Sequence, residues 1–124
     1  MDAGEGRPEI WVGHVGPIKV ANLPAAVDFY GRLGLRIVVD QPEMAAMQLR
    51  GGTHLVLLAG QPESIDEAPF DLMVEDLEAT QARFRSAGVE VSDIVELRNH
   101  RRIDVSDPDG RRVSVYDSHV VGPA

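Results

Sequence analysis

The sequence predicts an α+β domain made of two copies of a βαβββ module, and three observations carry this. The stretch IKVANLPAAVDFYGRLGLRIV (residues 18–38) aligns without a gap on LMVEDLEATQARFRSAGVEVS (residues 72–92) at an offset of 54. Gly52 and Gly110 each precede a strand-like run, THLVLLAG and RRVSVYDS, at an offset of 58. Each repeat also carries its own helix start and stop. A period present only twice indicates a paired fold, because a solenoid needs at least three units.

The elements follow in chain order. Val20 matches Val74 on the first strand of each copy, and Asn22 and Asp76 then stand as helix N-caps. Leu23, Ala25 and Tyr30 match Leu77, Ala79 and Phe84 along the helix. Gly34 and Gly88 fit a left-handed C-cap, where a side chain would be strained. A second strand follows each stop, with Leu35 and Ile37 opposite Val89 and Val91. MAAMQLRGG leads into the last strand of the first copy, and RRIDVSDPDG into that of the second. DPDG has Asp at i, Pro at i+1 and Gly at i+3 of a type I turn. The expected organisation is a flexible lead-in over 1–8, a first module over 9–59, a linker over 60–69, a second module over 70–119 and a tail over 120–124.

Composition narrows the function. The 124 residues suit one structural domain, with 44% hydrophobic and 26% charged residues. A net charge of −8 repels phosphate backbones and anionic lipid, so nucleic-acid and membrane partners are not expected. Absence of cysteine removes disulfides, thiolate metal sites and cysteine nucleophiles. The opening residues show no apolar signal core and no run is long enough to span a bilayer, so a cytoplasmic location is expected.

VANLPAAVDFYGRLGL, VEDLEATQARFRSAGVEV and DPDGRRVSVY together resemble the vicinal oxygen chelate superfamily, over about residues 10–118. That superfamily includes glyoxalase I, extradiol dioxygenases, fosfomycin-resistance transferases and bleomycin-resistance proteins. The resemblance implies a curved mixed sheet forming a cup, with helices outside and the ligand inside. It says little about chemistry, because one fold hosts many functions.

Strand parity sorts the side chains. Ile18, Val20, Phe70, Leu72, Val74, Leu55, Leu57, Val113 and Val115 are expected to pack under the helices, against Val27, Tyr30, Leu33, Leu77, Phe84 and Ala87. The opposite faces carry Val15, Pro17, Lys19, Met44, Ala46, Gln48, His54, Val56 and Leu58 in the first copy. In the second they carry Pro69, Asp71, Met73, Arg102, Asp104, Ser106, Arg112, Ser114 and Tyr116. Of these, His54, Val56, Met44, Arg102, Asp104, Arg112, Ser114 and Tyr116 are the candidate ligand-binding residues.

In metal-dependent relatives one ligand sits at the start of each first strand and one on each last strand. Carried over by motif, those places fall on Val15, Val56, Pro69 and Ser114, none of which is a normal ligand for Zn, Fe, Ni or Mn. The expectation is therefore no metal cofactor. One alternative remains: a bulge at Gly16–Pro17 would shift the register and aim His14 into the cup. His14, His54 and Asp71 would then offer the two imidazoles and one carboxylate of a divalent-metal site.

Three functional readings stand. The leading one is a metal-independent small-molecule binding protein that sequesters a drug or metabolite, as the bleomycin-resistance branch does; the resemblance implies a homodimer. The aromatic wall that would hold bleomycin itself is missing, since only six residues are Phe, Tyr or Trp. The second is a glyoxalase-like lyase, isomerase or dioxygenase using a relocated metal, or His54 as acid or base with Asp104 or Asp71. The third is a non-catalytic partner subunit. Arg102, Asp104, Arg112, Asp71 and Lys19 could equally pair with one another. The RNHRR run, residues 98–102, reads as a solvated hairpin loop; as the one basic patch of an acidic chain it could also hold an anionic group of a ligand.

Overall fold

The computed structural model describes residue 6, residues 8–63 and residues 66–118. The expected tail over 120–124 and most of the expected lead-in over 1–8 lie outside the described residues. Chain order is β1 (His14–Val20), α1 (Leu23–Leu33), β2 (Arg36–Asp40), β3 (Met44–Gln48), β4 (His54–Ala59), β5 (Leu72–Val74), α2 (Leu77–Ser86), β6 (Val95–Glu96), β7 (Arg101–Ser106) and β8 (Arg112–Asp117). Two four-stranded sheets result, ordered β1-β4-β3-β2 and β5-β8-β7-β6. β1–β4 and β5–β8 pair in parallel and the other neighbours antiparallel, so each half is the expected βαβββ module.

The helices begin and end where the sequence places them. The Asn22 side chain accepts from the Ala25 amide at 3.0 Å, and Asp76 from Ala79 at 2.9 Å. Each cap satisfies an amide the first turn leaves without an intrahelical partner. Gly34 and Gly88 sit at φ 113° and 82°, in the left-handed region, and close the helices. In DPDG the Gly110 amide donates to the Asp107 carbonyl at 2.9 Å.

One hydrophobic core joins the modules. Tyr30, Leu55 and Leu57 from the first half meet Leu77, Phe84, Ile103, Val113 and Val115 from the second, all buried. Full burial of one such aliphatic side chain stabilises by roughly 1.5–3 kcal/mol. A polar fastener crosses the same boundary. Arg111 donates to Asp107 Oδ2 at 2.6 Å and to the Lys19 carbonyl at 3.0 Å, while the Tyr30 hydroxyl donates to Asp107 at 3.1 Å. Burial, then the Asp107 charge, pushes the Tyr30 phenol far above its ordinary value.

Three local expectations need correction. The strand expected over Val89 and Val91 does not form, and β6 is only Val95–Glu96. Ser92 takes its place: its amide donates to the Asp104 carbonyl at 3.0 Å and its hydroxyl accepts from the Asp104 amide at 2.9 Å. β5 begins at Leu72, so Pro69 and Asp71 precede the strand. Linker residues 66–68 bond to the start of β8, with the Ala68 amide donating to the Arg112 carbonyl at 2.8 Å. The third correction concerns β1.

Candidate ligand-binding face

β1 contains the bulge. His14 pairs with His54 and Val15 with Leu55, but Ile18 pairs with Leu57, so Gly16 and Pro17 together oppose Val56. An extra residue inverts strand parity on one side of a bulge. Val15 therefore shares the helix-covered face with buried Leu55 and packs on the core, contrary to the expectation that it lines the cup. His14 turns to the helix-free face beside His54, with ring centroids 5.7 Å apart.

Register then builds that face row by row, because directly paired residues point the same way. The first row across β1, β4, β3 and β2 is His14, His54, Gln48 and Arg36. The next is apolar: Val56, Ala46 and Val39. Beyond it Leu58 pairs with Met44, and Lys19 flanks Leu58 from β1. The face is a polar bar above an apolar floor. Among the described residues, no hydrogen bond or ion pair engages the side chains of His14, His54, Gln48 or Arg36. Lys19 pairs with Glu63 at 3.2 Å.

The second sheet differs. Its helix-free face pairs Met73 with Tyr116, Tyr116 with Arg102, and Asp104 with Ser114. These groups are joined to each other. Ser114 donates to Asp104 at 2.7 Å, and Arg102 to the other Asp104 oxygen at 3.2 Å. Hydrogen bonding to Tyr116, followed by the Asp104 charge, raises the Arg102 guanidinium above its ordinary value. Arg112 pairs with Glu67. His100 sets its ring edge against Tyr116, with centroids 5.9 Å apart.

The candidate residues thus fall into two groups. His54, Val56 and Met44 lie on the first sheet, with Leu58, Ala46 and Gln48. Arg102, Asp104, Ser114, Tyr116 and Arg112 lie on the second. His54 shares no hydrogen bond with Asp104 or Asp71 among the described residues, so neither acid–base pair is assembled within the chain. Two arginines of the basic run are paired within the chain: Arg101 binds Glu78 at 2.7 and 2.9 Å and Asp117 at 3.1 Å, and Arg102 binds Asp104.

Two residues of the first face, Arg36 and Val39, are new. Their signal was partly present, since Arg36 interrupts an apolar run between Leu35 and Ile37. A second bulge, between Ile37 and Val39, reverses parity within β2 and hides the rest.

The metal question turns on the donor set. His14 and His54 supply two nitrogens. Among the described residues no group of three or more His, Cys, Asp or Glu side chains is gathered to hold a metal ion. The set His14, His54 and Asp71 is not brought together within the chain. Val56 and Ser114 have no metal-binding group of the usual kind, and the Ser114 hydroxyl is engaged with Asp104.

Comparison with known proteins places this architecture. Solved structures share it: lactoylglutathione lyase from Agrobacterium tumefaciens aligns at TM-score 0.73 and 18% identity, over 90% of this chain and 96% of that one. TnmS3, an antibiotic binding protein from Streptomyces sp. CB03234, aligns at TM-score 0.74 and 26% identity, over 90% and 98%. A glyoxalase/bleomycin resistance protein/dioxygenase from Alicyclobacillus acidocaldarius aligns at TM-score 0.71 and 17% identity, over 88% and 92%. No curated protein matches the sequence. No helix among the described residues is long and apolar enough to cross a membrane. Residues 11–115 match the Glyoxalase/Bleomycin resistance protein/Dioxygenase superfamily, and the chain belongs to that superfamily.

Proposed function

We propose that the protein binds a small organic molecule without a metal, on the helix-free face of the first sheet, and sequesters a drug or metabolite there. The observation that carries this reading is the floor of Met44, Ala46, Val39, Val56 and Leu58 beneath a bar of hydrogen-bonding side chains. Small-molecule sites join apolar lining to a few placed polar groups. The antibiotic binding described for TnmS3, a structural relative, agrees with it.

A homodimer belongs to the same proposal. Ile10, Trp11 and Val12, immediately before β1, are 87%, 77% and 60% exposed, and Met73 on the second sheet is 53% exposed. Three successive exposed apolar side chains mark an interaction site, and a second copy covering them would wall the open face. Sedimentation equilibrium tests the state, with a dimer expected and Trp11→Ser shifting it toward monomer.

One observation favours a second reading. The bulge sets His14 beside His54, so a glyoxalase-like lyase, isomerase or dioxygenase with a divalent metal would have two of its ligands, the others coming from outside this cluster. Metal content by plasma mass spectrometry, after dialysis against Zn, Mn, Fe and Ni, separates the readings. The binding reading predicts no stoichiometric metal, with thermal-shift hits among organic compounds in the presence of chelator. One metal per chain, released by His14→Ala, would overturn it in favour of the enzyme.

A further inference from the structure

We infer that the ligand of this face is an organic acid, with its apolar body on Val39, Ala46, Val56 and Leu58 and its carboxylate against Arg36 and Gln48. This rests on the small-molecule reading above and names its chemical class. The first support is charge. The sequence has 20 acidic and 12 basic residues, so a cation would be expected to find an acid within the protein. On the two helix-free faces Lys19 pairs with Glu63, Arg102 with Asp104 and Arg112 with Glu67. Arg36 is the exception: among the described residues no acid pairs with it. The nearest acid on its own strand, Asp40, pairs in register with Ala45, on the opposite face from the row that Arg36 joins.

The second support is geometry. Arg36 and Gln48 are directly paired across β2 and β3, so a planar guanidinium and a side-chain amide stand side by side. A carboxylate is planar with two acceptor oxygens, which a guanidinium fork takes in pairs and an amide N–H₂ can supplement. A hollow of about 470 Å³ opens beside them, lined also by Gly34, Leu49, Arg50, Gly51 and Gly52. Arg50 is held by Glu75 at 2.8 Å, which leaves Arg36 as the unpaired cation of the hollow among the described residues. The row contains no acid to compete for the site: its remaining members, His14 and His54, are imidazoles. An apolar floor that begins two residue pairs along, at Ala46 and Val56, fixes the ligand's polarity, acidic at one end and apolar over the rest.

The test is calorimetric titration at low salt with two matched pairs, octanoate against octanamide and 2-naphthoate against 2-naphthamide. Wild type, Arg36→Gln and Arg112→Gln are compared. Arg36 is exposed and takes no partner among the described residues, and the melting temperature checks that Arg36→Gln folds normally. The expected result is that each acid binds about tenfold more tightly than its amide, the scale of one charge-assisted contact near a surface. Arg36→Gln erases that preference and leaves the amide affinities unchanged, and Arg112→Gln keeps it. Equal binding of acid and amide, or a preference that survives Arg36→Gln, overturns the acid class while leaving small-molecule binding intact. Binding of none of the four probes overturns both.

Discussion

The two sheets are copies of one module, yet their helix-free faces differ in how their polar groups are used. On the second sheet Arg102, Asp104, Ser114 and Tyr116 satisfy one another, and Arg112 turns to Glu67. On the first, His14, His54, Gln48 and Arg36 line up without hydrogen-bond or ion-pair partners among the described residues, above aliphatic side chains. A polar group bonded within the protein specifies the fold, because leaving it unpaired would cost free energy. One left to solvent is available to a ligand. Duplication supplied two equivalent surfaces, and the proposed site lies on the one whose polar groups are left to solvent.

The largest effect is expected at the buried pair that fastens the second half to the first. Arg111→Met would leave Asp107 buried without its cation, and loss of one partner of a buried pair costs about 3–5 kcal/mol. Urea denaturation measures this, and a loss below about 1 kcal/mol would mean that the pair is not the fastener described. The Tyr30 phenol sits in the same cluster and titrates above its ordinary value of about 10. The folded protein therefore holds that proton more tightly than the unfolded chain does. The resulting stability is complete below pH about 10 and declines as pH rises above it. Tyr30→Phe should flatten that alkaline decline in a series of melting curves.

The next effect belongs to the first face. Val56→Asn places an amide in the apolar floor and should weaken ligand binding about tenfold by calorimetry, equivalent to about 1.4 kcal/mol. Ser114→Ala removes a half-buried hydrogen bond to Asp104. It should lower stability by about 1 kcal/mol and leave affinity unchanged. His14→Ala is the mildest, within about 0.5 kcal/mol in stability, because the side chain is exposed. If Ser114→Ala weakened binding more than Val56→Asn, the assignment of roles to the two faces would be reversed.

Much of the fold was legible because its punctuation is chemical. Asn22, Asp76, Gly34, Gly88 and DPDG each do locally what their residue types do best, and the alternation around Leu55, Leu57, Val113 and Val115 sets the buried face. The site was legible only as far as parity held. His54, Val56 and Met44 stand where simple alternation puts them. Val15 and His14 exchange faces because Gly16 and Pro17 share one partner, and Arg36 and Val39 were missed because of the bulge at Val38. A bulge depends on pairing with another strand, so a single strand's sequence shows only that one is permitted. The pairing of Arg102 with Asp104 was expected as one of two outcomes, and side-chain geometry decided it. Ser92 replacing a strand partner for Asp104 had no signature, since GVEVS alternates as a strand would.

The most direct measurement of the central claim is amide chemical-shift mapping of the ¹⁵N-labelled protein during titration with 2-naphthoate in excess chelator. The account predicts progressive shifts at Arg36, Val39, Ala46, Gln48, His54 and Val56, with Asp104, Ser114 and Tyr116 unmoved. Shifts centred on the second sheet, or binding that disappears with chelator, would contradict it.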